Sequence, residues 1–499
     1  MKRINVLLFL TLLIGSCASP SASPAQLPTA AATQTVIPAE TPHPTQTTVP
    51  TATPYLPLQT NGPYLLFTYD NKNFTILDAD GSGRKQFQLP DDGYILQLSK
   101  SISPDGQWLA YFTGSIIEPY DIALNLLNLS TEATQKISNL IAPGFPKNLE
   151  LVMESMLFTE GDECAQSMEC RMTLLQRSFL NGIYSFDWAP NGQALAFAAQ
   201  IDGPSSDLNI YDLETKAVRR ITNDLPNIEK IDWAPNSKKI MYANSVPGSL
   251  YAGRTIHLAD PKNQSIQTSP QLTEEDALWG EHDWLSENLY LFYEPNDTDP
   301  PVSHINILNT DTGQLTEVWP HTADFFVINR ESKTILLMHK NHSYLKPTIA
   351  EGIYMVYPNG KYLKISDAGI FFVLTEGQKP YLIFAQDSNG QIYSISNNGS
   401  IDQLPWMNDT LPRISPDGKL LLFKENHNLA LFTESYQPLK SWQMEDGINQ
   451  ITWRPDSLGI FFSTESNIYY LGLPNGEIRS LLIDCSAARC ADTRFVWLP

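Results

Sequence analysis

Thr452-Trp453-Arg454-Pro455-Asp456-Ser457 runs almost directly into Ile460-Phe461-Phe462, and the arrangement recurs four more times. Ile102-Ser103-Pro104-Asp105-Gly106 precedes Trp108-Leu109-Ala110-Tyr111-Phe112, and Asp187-Trp188-Ala189-Pro190-Asn191-Gly192 precedes Leu195-Ala196-Phe197. Asp232-Trp233-Ala234-Pro235-Asn236-Ser237 precedes Ile240-Met241-Tyr242, and Ile414-Ser415-Pro416-Asp417-Gly418 precedes Leu420-Leu421-Leu422-Phe423. In each copy a short strand ends at an apolar residue. Proline then fixes φ at about −65° in the second turn position. Asp or Asn caps the turn with its side chain, and Gly or Ser takes the backbone angle that larger residues avoid. The chain returns as a strand expected to carry apolar residues at alternate positions.

A third strand follows, as in Leu208-Asn209-Ile210-Tyr211-Asp212-Leu213, Thr255-Ile256-His257-Leu258 and Asn467-Ile468-Tyr469-Tyr470-Leu471. A polar turn leads to a fourth, as in Val218-Arg219-Arg220-Ile221-Thr222. The unit is an antiparallel meander of about 40–50 residues. Diverged copies fill the gaps. Asp283-Trp284 precedes Leu289–Phe292 and His304–Leu308, and Phe325–Ile328 precedes Ile335–Met338 and Gly352–Val356. Phe371–Leu374 precedes Tyr381–Phe384 and Gln391–Ile395. The first strands, Tyr64–Phe67 and Phe74–Leu77, have no turn motif before them, whereas Phe495-Val496-Trp497-Leu498-Pro499 has the Trp and Pro of a first strand with nothing after it. The C-terminal strand is therefore expected to complete the N-terminal unit, which removes exposed sheet edges.

These repeats resemble those of TolB-like, WD40-like β-propellers, over residues 60–499. The resemblance implies an all-β fold: a β-propeller of eight or nine four-stranded blades, its ring closed by the C-terminal strand. Residues 139–182, which lack clear alternation after Pro146, are expected to be an insertion. The turn residues Pro104, Asp105, Gly106, Pro190, Pro235, Pro416, Asp417, Gly418, Pro455 and Asp456 are read as structural. Trp188, Trp233, Trp284, Trp453 and Trp497 recur at equivalent positions, which favours packing between blades over a sugar-stacking ring.

The N-terminus reads differently. Met1-Lys2-Arg3 is followed by an apolar run from Val6 to Ile14 and then Gly15-Ser16-Cys17. The run is shorter than the ~20 residues of a membrane span and suits an export signal. Small residues before the cysteine resemble the lipobox of bacterial lipoproteins, which implies cleavage after residue 16 and a lipid on Cys17. Two or three acyl chains would anchor the chain stably, at ~0.8 kcal/mol per buried CH₂. Residues 17–58 are dominated by Pro, Thr, Ser and Ala and cannot bury enough apolar surface to order themselves. They are expected to form a tether reaching ~35 Å as a coil and ~120 Å as polyproline. The domain plan is thus a signal peptide at 1–16, a tether at 17–58 and a propeller at 59–499.

Of the five cysteines, Cys164 with Cys170 and Cys485 with Cys490 form two close pairs. An exported chain meets oxidising conditions, so two local disulfides are expected. A four-cysteine metal site would need pairs more than 300 residues apart to meet. The net charge of −21 disfavours nucleic acid and aids solubility.

No Gly-x-Ser-x-Gly nucleophile elbow is present. The α/β domain that precedes the propeller in TolB is replaced by the tether, so the chain is neither TolB nor a propeller-capped oligopeptidase. His339 and His342 follow a strand and are expected as exposed loop residues. Asp78-Ala79-Asp80-Gly81-Ser82-Gly83 resembles part of a calcium loop without its closing Glu, and is read as a tight turn. Glu294, Asp297 and Asp299 form a similar acidic loop. No metal or cofactor is expected. The expected product is a monomeric lipoprotein, anchored to the cell or outer membrane and facing the periplasm or exterior. Its propeller acts as a non-catalytic binding or scaffold module for a protein or glycan. The alternative is an envelope carbohydrate lyase or hydrolase with a site at the channel mouth.

Overall fold

Trp108–Thr113, Ala194–Ala199, Thr334–His339 and Gly459–Ser463 are the second strands of their repeats, and nearly every residue in them is buried. The expected alternation of apolar and polar residues is therefore corrected. Both faces of these strands are covered, so neighbouring side chains alternate between two apolar partners instead of between core and water. Leu109 and Tyr111 join one cluster, and Ala110 and Phe112 the next. Leu195 and Phe197 face one way, Ala196 and Ala198 the other. Exposed polar residues return in the outer strands, as in Thr134–Asn139.

The computed structural model describes residues 57–499 apart from 116–120, 143–183, 202–205, 224–226, 246–254, 269–281, 297–301, 322, 324, 331, 340–348, 367–369, 375–382, 388–391, 396–400, 404–411, 474 and 482–489. The signal segment, Cys17 and most of the tether lie outside the described residues, as do Cys164, Cys170, Cys485, His342, Asp297 and Asp299. No helix among the described residues is long and apolar enough to cross a membrane.

The described strands form eight four-stranded antiparallel sheets and one of three strands, in sequential order in every sheet but the first. Sheet 1 holds Tyr64–Thr68, Asn73–Asp78 and Arg84–Gln88, and its fourth strand is Arg494–Leu498 from the other end of the chain. Tyr64 pairs with Leu498 and Thr68 with Arg494, which is the expected pairing of first and last strands. Sheet 2 holds Trp108–Thr113, Ala123–Asn128 and Thr134–Asn139, and a bridge from Ile102 to Leu109 stands where its first strand would lie. Sheets 3, 4 and 5 span 186–220, 227–268 and 282–319, and sheets 6, 7, 8 and 9 span 325–366, 370–403, 413–443 and 451–480.

The core is divided into slabs between consecutive sheets. Sheet 1 packs on sheet 2 through Leu66 and Ile76 against Leu109 and Tyr111. Equivalent slabs join sheets 2 and 3, 3 and 4, 4 and 5, and 5 and 6. Sheet 8 packs on sheet 9, and sheet 9 on sheet 1, where Phe461 and Ile468 meet Leu65 and Phe67. Burial of about 25 cal/mol per Å² of apolar surface drives this stacking. The fold is nearly all β and propeller-like.

Candidate functional site

The repeated turns position everything else. Ser103 Oγ donates to Asp105 Oδ1 (2.5 Å), Asp105 Oδ1 accepts the Gln107 amide (3.0 Å), and the Gly106 amide closes onto the Ser103 carbonyl (2.8 Å). Ser415, Asp417, Lys419 and Gly418 repeat this pattern. Asn191, Asn236 and Asp456 accept the amides of Gln193, Lys238 and Leu458 in the same way. The left-handed position is filled by Gly106, Gly192, Ser237, Gly418 and Ser457, as the motif requires.

Five of the first strands carry a tryptophan near their end whose indole reaches the preceding sheet. Trp188 Nε1 donates to the Ser101 carbonyl (3.3 Å), Trp233 Nε1 to the Asp187 carbonyl (3.1 Å) and Trp284 Nε1 to the Asp232 carbonyl (3.2 Å). Trp453 Nε1 donates to the Arg413 carbonyl (3.2 Å) and Trp497 Nε1 to Thr452 Oγ1 (3.0 Å). In all five seams the acceptor immediately precedes a turn-motif residue: Ser101 before Ile102, Asp187 before Trp188, Asp232 before Trp233, Arg413 before Ile414 and Thr452 before Trp453. Trp188, Trp233, Trp284 and Trp453 are at most 7% exposed, which supports their reading as packing between sheets.

Three successive sheets carry a carboxylate immediately before this tryptophan. Asp187 Oδ2 accepts the Trp233 amide at 2.7 Å. Asp232 Oδ2 accepts the Tyr290 hydroxyl at 2.9 Å and lies 3.4 Å from Lys230 Nζ. Asp283 accepts the Trp284 amide (2.6 Å) and pairs with Arg330, whose Nε donates to the Trp284 carbonyl (3.0 Å). Burial pushes the Asp187 carboxyl up to about 7, and the charge of Asp232 adds to this; the Trp233 amide and Lys100 pull the other way. Burial, then the charge of Asp232 and the bond to it, hold the Tyr290 proton well above its usual range. Sheet 8 carries the opposite sign at Arg413 and Lys424. Burial, then the charge of Arg413, lowers Lys424, whose Nζ donates to the Asn449 carbonyl (2.9 Å).

The carboxylate row was not singled out from the sequence, although its signal is present as an Asp directly before Trp in three consecutive repeats. His339 is a correction. It is 3% exposed and stands beside Trp319 (6.0 Å between ring centroids) and His321 (6.2 Å), because the last residue of a second strand still lies within an inter-sheet slab. Asp78 and Asp80 do not converge on a common point: Asp80 caps the Ser82 amide, whereas Asp78 accepts the Gln59 and Thr60 amides. Glu294 lies within the strand Leu289–Asn296. Cys490 is buried and disulfide-bonded. Among the described residues no group of three or more His, Cys, Asp or Glu side chains could hold a metal. Two open depressions lie away from the tryptophans. One of about 750 Å³ is lined by Glu425, His427, Gln443 and Glu445, and one of about 420 Å³ by Gln88, Asp91 and Glu132.

No family model matches the chain, and no curated protein matches it in sequence. Solved structures match in shape. A structure described as the eukaryotic initiation factor has a TM-score of 0.52 at 11% identity, covering 88% of this chain and 98% of that one. Dipeptidyl peptidase 4 of Porphyromonas gingivalis has a TM-score of 0.46 at 8% identity, covering 82% of this chain and 65% of that one. An oligogalacturonate lyase in complex with manganese has a TM-score of 0.36 at 14% identity, covering 59% and 89%. The first of these likenesses supports a β-propeller-like fold, and at this identity fold is all it supports.

Proposed function

We propose that this is a TolB-like propeller lipoprotein, anchored by a lipid on Cys17 and held off the membrane by the 17–58 tether. Its nine sheets act as blades of one ring sealed by Arg494–Leu498, with disulfides at Cys164/Cys170 and Cys485/Cys490. The module binds a protein or glycan partner of the envelope without transforming it. The observation that carries this is the use of the seam groups. The polar groups of the repeated pre-tryptophan position are spent joining one sheet to the next. Such bonding builds a rigid frame on which loops can present a binding surface. Crosslinking of the full-length protein in intact cells is expected to capture a defined envelope protein or glycan. Cys17→Ser is expected to release the protein from the membrane fraction. Failure to capture any envelope component would remove the support for a binding role.

A second reading has one specific observation in its favour. Asp187 holds its proton near neutral pH, which a general acid must do, and Asp232 acts on it electrostatically. As a carbohydrate lyase or hydrolase the protein would release oligosaccharides from envelope polysaccharides, and Asp187→Asn and Asp232→Asn would abolish that release. Unchanged release in both variants rules out these two residues.

A further inference from the structure

We propose that two turns of sheet 6 form a cationic, apolar patch that docks the protein on the anionic surface of its own membrane. This rests on the anchored reading given above and adds which face of the molecule meets the lipid. Nine large hydrophobic side chains are exposed among the described residues, and three of them, Tyr357 (36%), Tyr362 (45%) and Leu363 (50%), lie within seven positions. The turn between them is closed by the Gly360 amide on the Tyr357 carbonyl (3.0 Å) and the Tyr357 amide on the Lys361 carbonyl (2.9 Å). Val356 pairs with both Tyr362 and Ile335, so Lys333, just before Ile335, stands at the same end of the sheet. Lys333 and Lys361 are exposed, and neither has an ion-pair partner among the described residues.

The sign of this patch departs from that of the chain. Residues 325–366 hold six Lys or Arg and two acidic residues, in a protein of net charge −21. No acidic residue occurs from Gly352 to Ser366. On sheet 5, Asp283 is paired with Arg330 and Asp311 with Lys239 (2.6 Å), so these two carboxylates are already neutralised. The remaining acidic surface is repelled by anionic lipid, and the patch therefore sets the orientation.

The tether joins the same face. Pro57, the first described residue, lies beside Gly83 in the third-to-fourth-strand turn of sheet 1, where a Cβ would stand 2.7 Å from the Pro57 carbonyl. Tyr64 pairs with both Asp78 and Leu498, which places Pro499 at this end as well. Contacts between turns lead from there to sheet 6. A Cβ on Gly106 would meet Pro499, and one on Gly192 would meet Asp105. The Asn191 amide bonds to Ser237, Lys239 to Asp311, and Arg330 to the Trp284 carbonyl. The tether bounds how far the domain can leave the membrane, and the patch decides which face returns to it. A bilayer interface suits this mixture, since Tyr and Leu enter the headgroup boundary while Lys reaches lipid phosphates. A hydrated glycan would stack on the tyrosines but gain little from Leu363.

Vesicle sedimentation tests this with the chain from residue 17 carrying Cys17→Ser, so that no lipid holds it. At low salt it is expected to bind vesicles of equal parts phosphatidylglycerol and phosphatidylcholine, and not vesicles of phosphatidylcholine alone. Added salt should weaken the binding. Lys333→Gln with Lys361→Gln is expected to weaken it on the order of tenfold or more. Lys216→Gln with Lys262→Gln, at exposed turn positions of sheets 3 and 4, should leave it unchanged. No binding, binding that ignores lipid charge, or an equal loss in both double variants overturns the docking. Retention on an immobilised acidic polysaccharide without vesicle binding would assign the patch to a glycan and also overturn it. The anchor is tested separately. Docking by the patch alone is reversible and salt-sensitive, so Cys17→Ser is still expected to leave the washed membrane fraction whether or not the patch binds.

Discussion

At the scale of single residues, two side chains hold more than their neighbours. Trp284 is 2% exposed, meets Tyr290 edge-on at 5.1 Å and donates to the sheet before it. Trp284→Phe keeps most of the ring and removes the donor, so a loss of about 1 kcal/mol is expected in urea unfolding. Trp284→Ala also leaves a cavity and should cost about 3–5 kcal/mol. Asp78 is fully buried at the end of Asn73–Asp78. Its counterparts Asn128, Asp212 and Asn309 cap the amides of their own turns. Asp78 instead accepts the Gln59 amide (2.7 Å), the Thr60 amide (3.1 Å) and the Thr60 hydroxyl (2.6 Å), and so grips the segment leading into the first strand. Gly83 has no room for a Cβ, which would stand 2.1 Å from Asp78 Oδ2 and 2.7 Å from the Pro57 carbonyl. Asp78→Ala strands three donors and is expected to cost about 2–4 kcal/mol, measured by chemical denaturation.

At the scale of elements, the turns explain a variation in the motif. Gly106, Gly192 and Gly418 take left-handed φ freely, whereas Ser237 (φ 59°) and Ser457 (φ 64°) do so against their preference. Both serines offset this by bonding to the turn of the preceding sheet: the Asn191 amide donates to Ser237 Oγ (3.0 Å) and the Asp417 amide to Ser457 Oγ (3.0 Å). Ser457→Ala keeps the strain and loses the bond, so it should lower stability by about 1–2 kcal/mol. Lys216 takes φ 56° in the third-to-fourth-strand turn of sheet 3, with an exposed side chain. Lys216→Gly is expected to be stabilising by up to about 1 kcal/mol in the same assay, since relief of the left-handed strain exceeds the entropic cost of glycine.

At the scale of the whole molecule, the C-terminal strand joins both ends of the chain. It pairs with Tyr64–Thr68 over five positions and places Trp497 against Phe461 at 5.7 Å. Truncation after Thr493 would bare an apolar edge strand. The truncated protein is expected to lose its cooperative thermal transition and to aggregate in size-exclusion chromatography despite the acidic surface. Residues 17–56 carry too little apolar surface to pack stably, so a chain starting at Pro57 is expected to melt like the intact one. A chain starting at Tyr64, which lacks the residues held by Asp78, should melt earlier.

Much of this was readable in the residues. Pro-Asp-Gly and its variants fix local backbone angles, so the turns, the strands around them and the repeat follow from short-range chemistry alone. The same chemistry picked out the five tryptophans as equivalent. What the sequence could not settle depends on which sheet lies beside which. The second strands are not buried at alternate positions only, because both of their faces meet apolar sheets and neither meets water. Local spacing suggests a loop at His339, because its partner Trp319 lies on a neighbouring sheet. The roles of Asp187, Asp78 and Ser457 are all set by groups 18 or more residues away, through distances that no local spacing encodes. Local chemistry decided the repeated unit, and only stacking one unit on the next decided what its polar side chains do.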